Sequence, residues 1–188
     1  MKKLFVLAVV ALMTTVSASA QQMFIKPMVG GTLTTLTGDV SDNKMKVGLV
    51  AGAEFGYNFA ENMGVTAGLL YSMQGTAAKN SDDNWNMDYL NIPVLFNYYI
   101  VPGFAVKAGV QPGFLMRAKY GDHDWKDYCE KFDLSIPMGL SYEISDFVID
   151  ARYNLGVTNI LKDNKGLIWD GKAKNSVIML TVGYKIPF

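Results

Sequence analysis

Counting back from Phe188, the residues Ile186, Tyr184, Val182, Leu180 and Ile178 take every second place, with Pro187, Lys185, Gly183, Thr181 and Met179 between them. A period of two sends alternate side chains to opposite faces, so this stretch reads as a strand with one apolar face. The same alternation runs through residues 132–144, 149–157 and 47–59, and in weaker form through 23–33, 64–75, 88–100 and 104–120, which predicts eight strands. Their connections alternate in length. Residues 60–62, 101–103 and 145–146 are tight, and Pro102-Gly103 suits a type II turn. Residues 35–44, 77–87, 121–131 and 159–175 are long and rich in Asp, Asn, Lys and Gly. Short and long connections in alternation are the signature of an up-and-down barrel.

The faces decide what surrounds that barrel. Opposite the apolar residues stand Lys26, Lys46, Glu54, Lys107, Arg117, Asp133, Glu143, Asp150, Arg152 and Lys185. If these faced water, the apolar faces would need a second covering layer, and no helical segment supplies one. The strands also exceed the ~5–6 residues usual in soluble sheets and match the ~9–11 that cross a bilayer at a tilt. In lipid every backbone donor must be paired, so strands span only as a closed barrel. The pattern therefore predicts an all-β fold, an eight-stranded antiparallel up-and-down transmembrane β-barrel, with the charged residues inward as a lumen ion-pair network. Phe24, Phe59, Tyr98, Tyr99, Phe104, Tyr142, Phe147 and Phe188 near the tight turns, and Tyr71, Tyr89 and Tyr120 near the other end, read as interfacial girdles. Two rivals use the same residues. In a secreted soluble barrel the apolar faces would enclose a small apolar ligand. A helical membrane protein finds footholds in the uncharged run 89–106 and in Gly48, Gly52 and Gly56, but Pro93 and Pro102-Gly103 interrupt the run.

Composition narrows the function classes. The chain has 188 residues, one domain's worth, with 17 Lys or Arg against 17 Asp or Glu, which leaves no basic footprint for nucleic acid. Lys2 and Lys3, an apolar stretch over 4–13 and Ala18-Ser19-Ala20 form a secretory signal, so residues 1–20 are expected to be cleaved from a barrel domain of 21–188. The single Cys129 excludes an intrachain disulfide and reads as a loop thiol, and His123 is the one histidine available as a catalytic base. Asp122, His123 and Asp124 are adjacent, and neighbours rarely converge on a metal. No HExxH, GxSxG or P-loop pattern occurs. The expectation is a protein that is not an enzyme and uses no metal or cofactor.

Thr181, Gly183, Ile186 and Phe188 fall in the order polar, Gly, apolar, terminal aromatic, and this end of the chain resembles the β-signal read by the outer-membrane barrel-assembly machinery. The stretches GLLYSMQG (68–75), YLNIPVL (89–95) and DARYNLGVTNI (150–160) resemble the PorT-like outer-membrane β-barrel family of Bacteroidetes, over nearly the whole of 21–188. That resemblance implies a barrel in the outer membrane of a Gram-negative bacterium, with its amino terminus in the periplasm and its long loops outside. It implies little about activity. An eight-stranded interior is just wide enough for side chains to fill. The expected role is therefore structural or surface contact around a plugged polar interior, with a narrow gated channel for small solutes or ions as the alternative. Trp125, Tyr128 and Trp169 in the long loops are the contact candidates, since aromatics dominate interfaces. The expected partners are outer-membrane lipid, the assembly machinery during biogenesis and an extracellular or envelope partner, with the barrel itself a monomer.

Overall fold

The computed structural model describes residues 22–38, 43–78, 84–120, 123–124, 126, 129–160 and 173–188; the expected signal peptide lies outside them. The strands are β1 (Gln22–Gly38), β2 (Lys46–Ala60), β3 (Met63–Ala78), β4 in two arms (Asn84–Asn91 and Val94–Val101), β5 (Phe104–Tyr120), β6 (Phe132–Ile144), β7 (Phe147–Gly156) and β8 (Ala173–Tyr184, continued by Ile186–Pro187). Each pairs antiparallel with the next in sequence. β8 returns to β1 in a ladder from Met28↔Gly183 to Gly38↔Ala173, extended at the other end by Phe24↔Pro187. The result is a closed, eight-stranded, all-antiparallel barrel.

Alternation sets the two faces as expected. Along β7 exposed and buried residues alternate without a break, with Ile149 and Leu155 outside and Asp150 and Arg152 inside. The outer wall carries Val47, Leu49, Leu180 and Val182 on adjoining parts of the barrel. Tight turns close the end at which β1 begins, where Gly103 takes a φ of 82° as a type II turn requires and Ser145 takes a left-handed φ of 56°. The long connections lie at the other end.

Three places depart from strict alternation. β4 breaks at Ile92-Pro93, where the carbonyl of Pro93 still accepts from the Gly68 amide at 2.9 Å and the Ile92 amide donates to the Pro112 carbonyl at 2.8 Å. β5 carries a bulge: Asp88 pairs with Arg117 and Tyr89 with Leu115, leaving Met116 as the extra residue. The β2–β3 ladder stops at Val50↔Ser72 and resumes only at Lys44↔Ala77. The girdle assignments change accordingly. Phe24 and Tyr89 point inward and are buried, and Tyr99 reaches Glu143, whereas Tyr71, Tyr98, Tyr142, Phe147 and Phe188 are exposed on the outer wall.

Candidate functional site

The sequence places Lys26, Glu54, Lys107, Asp150 and Arg152 on inward positions of β1, β2, β5 and β7, and the barrel brings them together in the tight-turn half of the lumen, each buried. Lys26 Nζ lies 2.9 Å from Glu54 and 3.7 Å from Asp150; Lys107 Nζ lies 2.5 Å from Asp150. The Arg152 guanidinium donates to both oxygens of Asp150, at 2.5 and 2.8 Å, and reaches Glu54 at 2.5 Å. Two apart on one strand, Asp150 and Arg152 can pair with each other or across the lumen, for example with Glu143, Asp133 or Lys185. They do pair with each other, but their cross-lumen partners are Lys26, Glu54 and Lys107. Three cations thus share two carboxylates, and the contacts tie strands on both sides of the β8–β1 closure. Gly183 faces this cluster from β8: a Cβ there would sit 2.8 Å from Lys26 Cγ, so the residue that matches the assembly signal also makes room for the Lys26 stem.

Towards the tight turns, Glu143 pairs with Lys185 at 2.8 Å and accepts from the Tyr99 hydroxyl at 3.0 Å, and Lys185 stands 4.6 Å over the Phe24 ring. Above the Asp150 cluster Met28, Val50, Leu70 and Met179 form an apolar layer. Higher still, Asp133 accepts from the Thr158 hydroxyl at 2.6 Å and from the Asn175 amide at 2.9 Å. At the mouth on the side of the long connections Met87, Tyr89, Leu115, Ala118, Cys129, Ile160 and Ala173 pack into a second apolar cluster. Cys129, read from the sequence as a loop thiol, does lie in a connection and forms no disulfide. It is fully buried, and alternation could not reveal this because Cys129 and Ile160 lie in the long connections rather than in strands. The two connections are also joined by the Glu130 amide donating to the Ile160 carbonyl at 2.8 Å.

Two residues assigned to the lumen belong elsewhere. The bulge at Met116 turns Arg117 outward, because one inserted residue reverses the face of all that follow, and its side chain is 57% exposed, 4.0 Å from Asp88. Lys46 sits at the interruption between β2 and β3. Its Nζ donates to the carbonyls of Gln74 at 2.9 Å and Trp85 at 3.2 Å and to Asn86 Oδ1 at 2.6 Å. Beside it the Thr32 and Thr34 hydroxyls donate to the carbonyls of Met73 at 2.9 Å and Gly75 at 2.7 Å, so side chains satisfy the carbonyls that a strand would otherwise take. The interruption leaves a crevice of about 410 Å³ in the wall, lined by residues that include Lys46, Val47, Leu49, Met73, Asp88 and Arg117. Trp125, Tyr128 and Trp169 lie outside the described residues.

The family described as outer membrane protein beta-barrel domain matches residues 18–162. Among solved structures, Neisserial surface protein A is similar over 87% of this chain and 97% of its own, at 14% identity and a TM-score of 0.59. Ail of Yersinia pestis, solved with the heparin analogue sucrose octasulfate, is similar over 88% of this chain and 99% of its own, at 18% identity and a TM-score of 0.54. At these identities the likeness is one of fold. No curated protein matches the sequence.

Proposed function

The chain belongs to the outer membrane protein beta-barrel domain family, and on that premise we propose that it acts by surface contact, through extracellular loops carried on a plugged barrel. Its place is the outer membrane of a Gram-negative bacterium, which sets aside the soluble and helical alternatives. One observation carries the reading: the bases of the third and fourth long connections are pinned together in the barrel mouth. Cys129 and Ile160 pack on Met87, Tyr89 and Leu115, and the Glu130 amide bonds the Ile160 carbonyl. Such a base presents the loops bearing Trp125, Tyr128 and Trp169 from a fixed platform, as a binding surface needs. The buried lumen clusters support a plugged interior and weigh against the channel reading.

The finer assignments belong to the same proposal. Residues 1–20 direct export and are removed, Thr181, Gly183, Ile186 and Phe188 address the chain to the assembly machinery, the mature barrel is a monomer, and the matched stretches place it with the PorT-like proteins of Bacteroidetes. No catalytic step, metal or cofactor is assigned.

The test trims residues 121–128 and 161–172 to short Gly-Ser links, separately and together, and measures adhesion of cells displaying each variant to immobilised sulfated glycan and to a host-cell monolayer. Folding is checked by heat-modifiable migration on a denaturing gel. Adhesion falling to the level of barrel-free cells in the double trim is expected; adhesion undiminished in a folded double trim overturns the reading. A second measurement addresses the interior: planar-bilayer conductance at the level of protein-free membrane is expected, and discrete conductance steps would replace the plug with a channel.

A further inference from the structure

The crevice in the outer wall is lined by strand residues and has chemistry of its own. It lies where three features coincide. β2 leaves β3 above Val50↔Ser72, Gly75 takes a φ of 127° and contributes no side chain, and the β5 bulge turns Arg117 outward. A Cβ at Gly75 would lie 1.9 Å from the Trp85 carbonyl and 3.3 Å from Lys46 Nζ, so only glycine lets the Lys46 ammonium reach across β3 to Asn86. The lips are apolar and open: Val47 is 74% and Leu49 63% exposed, with Met73 beside them.

Deeper in, the polar groups have defined states. Asp88 stands in the outward register between Met73 and Arg117, yet is only 5% exposed and accepts from the Tyr71 hydroxyl at 2.8 Å. Arg117 is more than half exposed and approaches Asp88 no closer than 4.0 Å, too far for a hydrogen bond. Lys119, paired in register with Asn86, follows on the same face of β5. Among the described residues that line the crevice, Lys46 and Arg117 face one carboxylate, Asp88, and the local field there favours an anion; Lys119 adds a cation next along β5, in register with Asp124. Tyr71, outward and half-exposed beneath it with its hydroxyl donating to Asp88, is an amphipathic aromatic of the kind that sits where hydrocarbon gives way to headgroups. What touches an outer-wall crevice at that level, at the extracellular end, is the outer leaflet.

We propose that this crevice binds one outer-leaflet lipid with an anionic, phosphomonoester-bearing headgroup. Arg117 and Lys119 hold the phosphate, and an acyl chain lies against Val47, Leu49 and Met73. A volume of about 410 Å³ falls within the range of pockets that hold drug-sized ligands, enough for a phosphate and the upper part of one chain. The fixed charge at Arg117 gives recognition, while the apolar lips restrict it to a ligand delivered from the bilayer.

The experiment reconstitutes the mature chain in nanodiscs of zwitterionic phosphatidylcholine doped with a phosphorylated acyl-glucosamine disaccharide lipid or with its dephosphorylated counterpart. Lipids retained on the protein are counted by native mass spectrometry. One phosphorylated lipid retained per barrel is expected, with the dephosphorylated lipid lost. Arg117→Gln with Lys119→Gln should lower retention about 25-fold, since each cation near anionic lipid is worth roughly fivefold. Lys174→Gln, a cation of the same barrel end on β8, should leave it unchanged. Heat-modifiable migration establishes that each variant is folded. Equal retention of both lipids, or full retention in the folded double variant, overturns the proposal. So does complete displacement by millimolar inorganic phosphate, which would assign the site to a soluble anion.

Discussion

In the tight-turn half of the lumen Lys26, Glu54, Lys107, Asp150 and Arg152 form ion pairs with one another across four strands, whereas at the mouth on the side of the long connections Met87, Tyr89, Leu115, Cys129 and Ile160 fill the same width with apolar side chains. The first arrangement is built wholly from strands and ties β1 and β2 to β7, so its energy resides in closure of the barrel. The second borrows two residues from connections, so its energy resides in holding loop bases down. Charge and grease thus do different work at two levels of one cavity. The lower level makes the barrel a barrel, and the upper one makes its mouth a platform.

Removing an anion from the lower level should give the largest effect. Asp150→Asn leaves Lys26, Lys107 and Arg152 around the single carboxylate of Glu54, and breaking a buried ion pair costs about 3–5 kcal/mol. Urea titration of the folded band on unboiled gels should show one cooperative transition moved to markedly lower urea. A midpoint equal to the parent's would mean that closure does not depend on the cluster.

The corresponding change in the upper level is Ile160→Ala. Burial of Ile160 predicts a local loss of about 2–5 kcal/mol, but Ile160 itself lies in a connection and pairs in no strand ladder. Unfolding confined to a loop base leaves the global transition in place. The expected outcome is faster proteolytic nicking within 121–131 or 161–172, with the urea midpoint of the barrel nearly unmoved. A global shift as large as that of Asp150→Asn would erase the distinction between the two levels.

How much of this was legible depends on whether the ladder is unbroken. In β7, alternation alone placed Asp150 and Arg152 inward, since every residue from Phe147 to Gly156 pairs on both sides or nearly so. Strand number, tight turns and closure followed from the same period. Arg117 failed because a bulge adds one residue without leaving a mark in the hydrophobic pattern: Met116 and Arg117 both face out. Lys46 failed because its strand loses its neighbour above Val50, so its side chain bonds carbonyls of β3 and β4 instead of entering the lumen. Cys129 and Ile160 were invisible for a third reason. A residue in an irregular connection has no period, and only tertiary packing tells whether it is covered.

The smallest effect expected comes from the same cluster as the largest. Three cations share two carboxylates, so the cluster has a cation to spare, and Lys107 is the member whose carboxylate partner, Asp150, is also held by Arg152 through two hydrogen bonds. Lys107→Met removes that surplus charge and keeps an unbranched side chain of similar length. Asp150 then remains paired with Arg152 and Lys26, and no buried charge is stranded. Replacing buried ionic groups with well-packed apolar ones is often neutral or stabilising, so the urea midpoint should move by the equivalent of less than about 1 kcal/mol in either direction. If Lys107→Met proves as costly as Asp150→Asn, the cluster depends on every member, and charge balance is not what separates its cations from its anions.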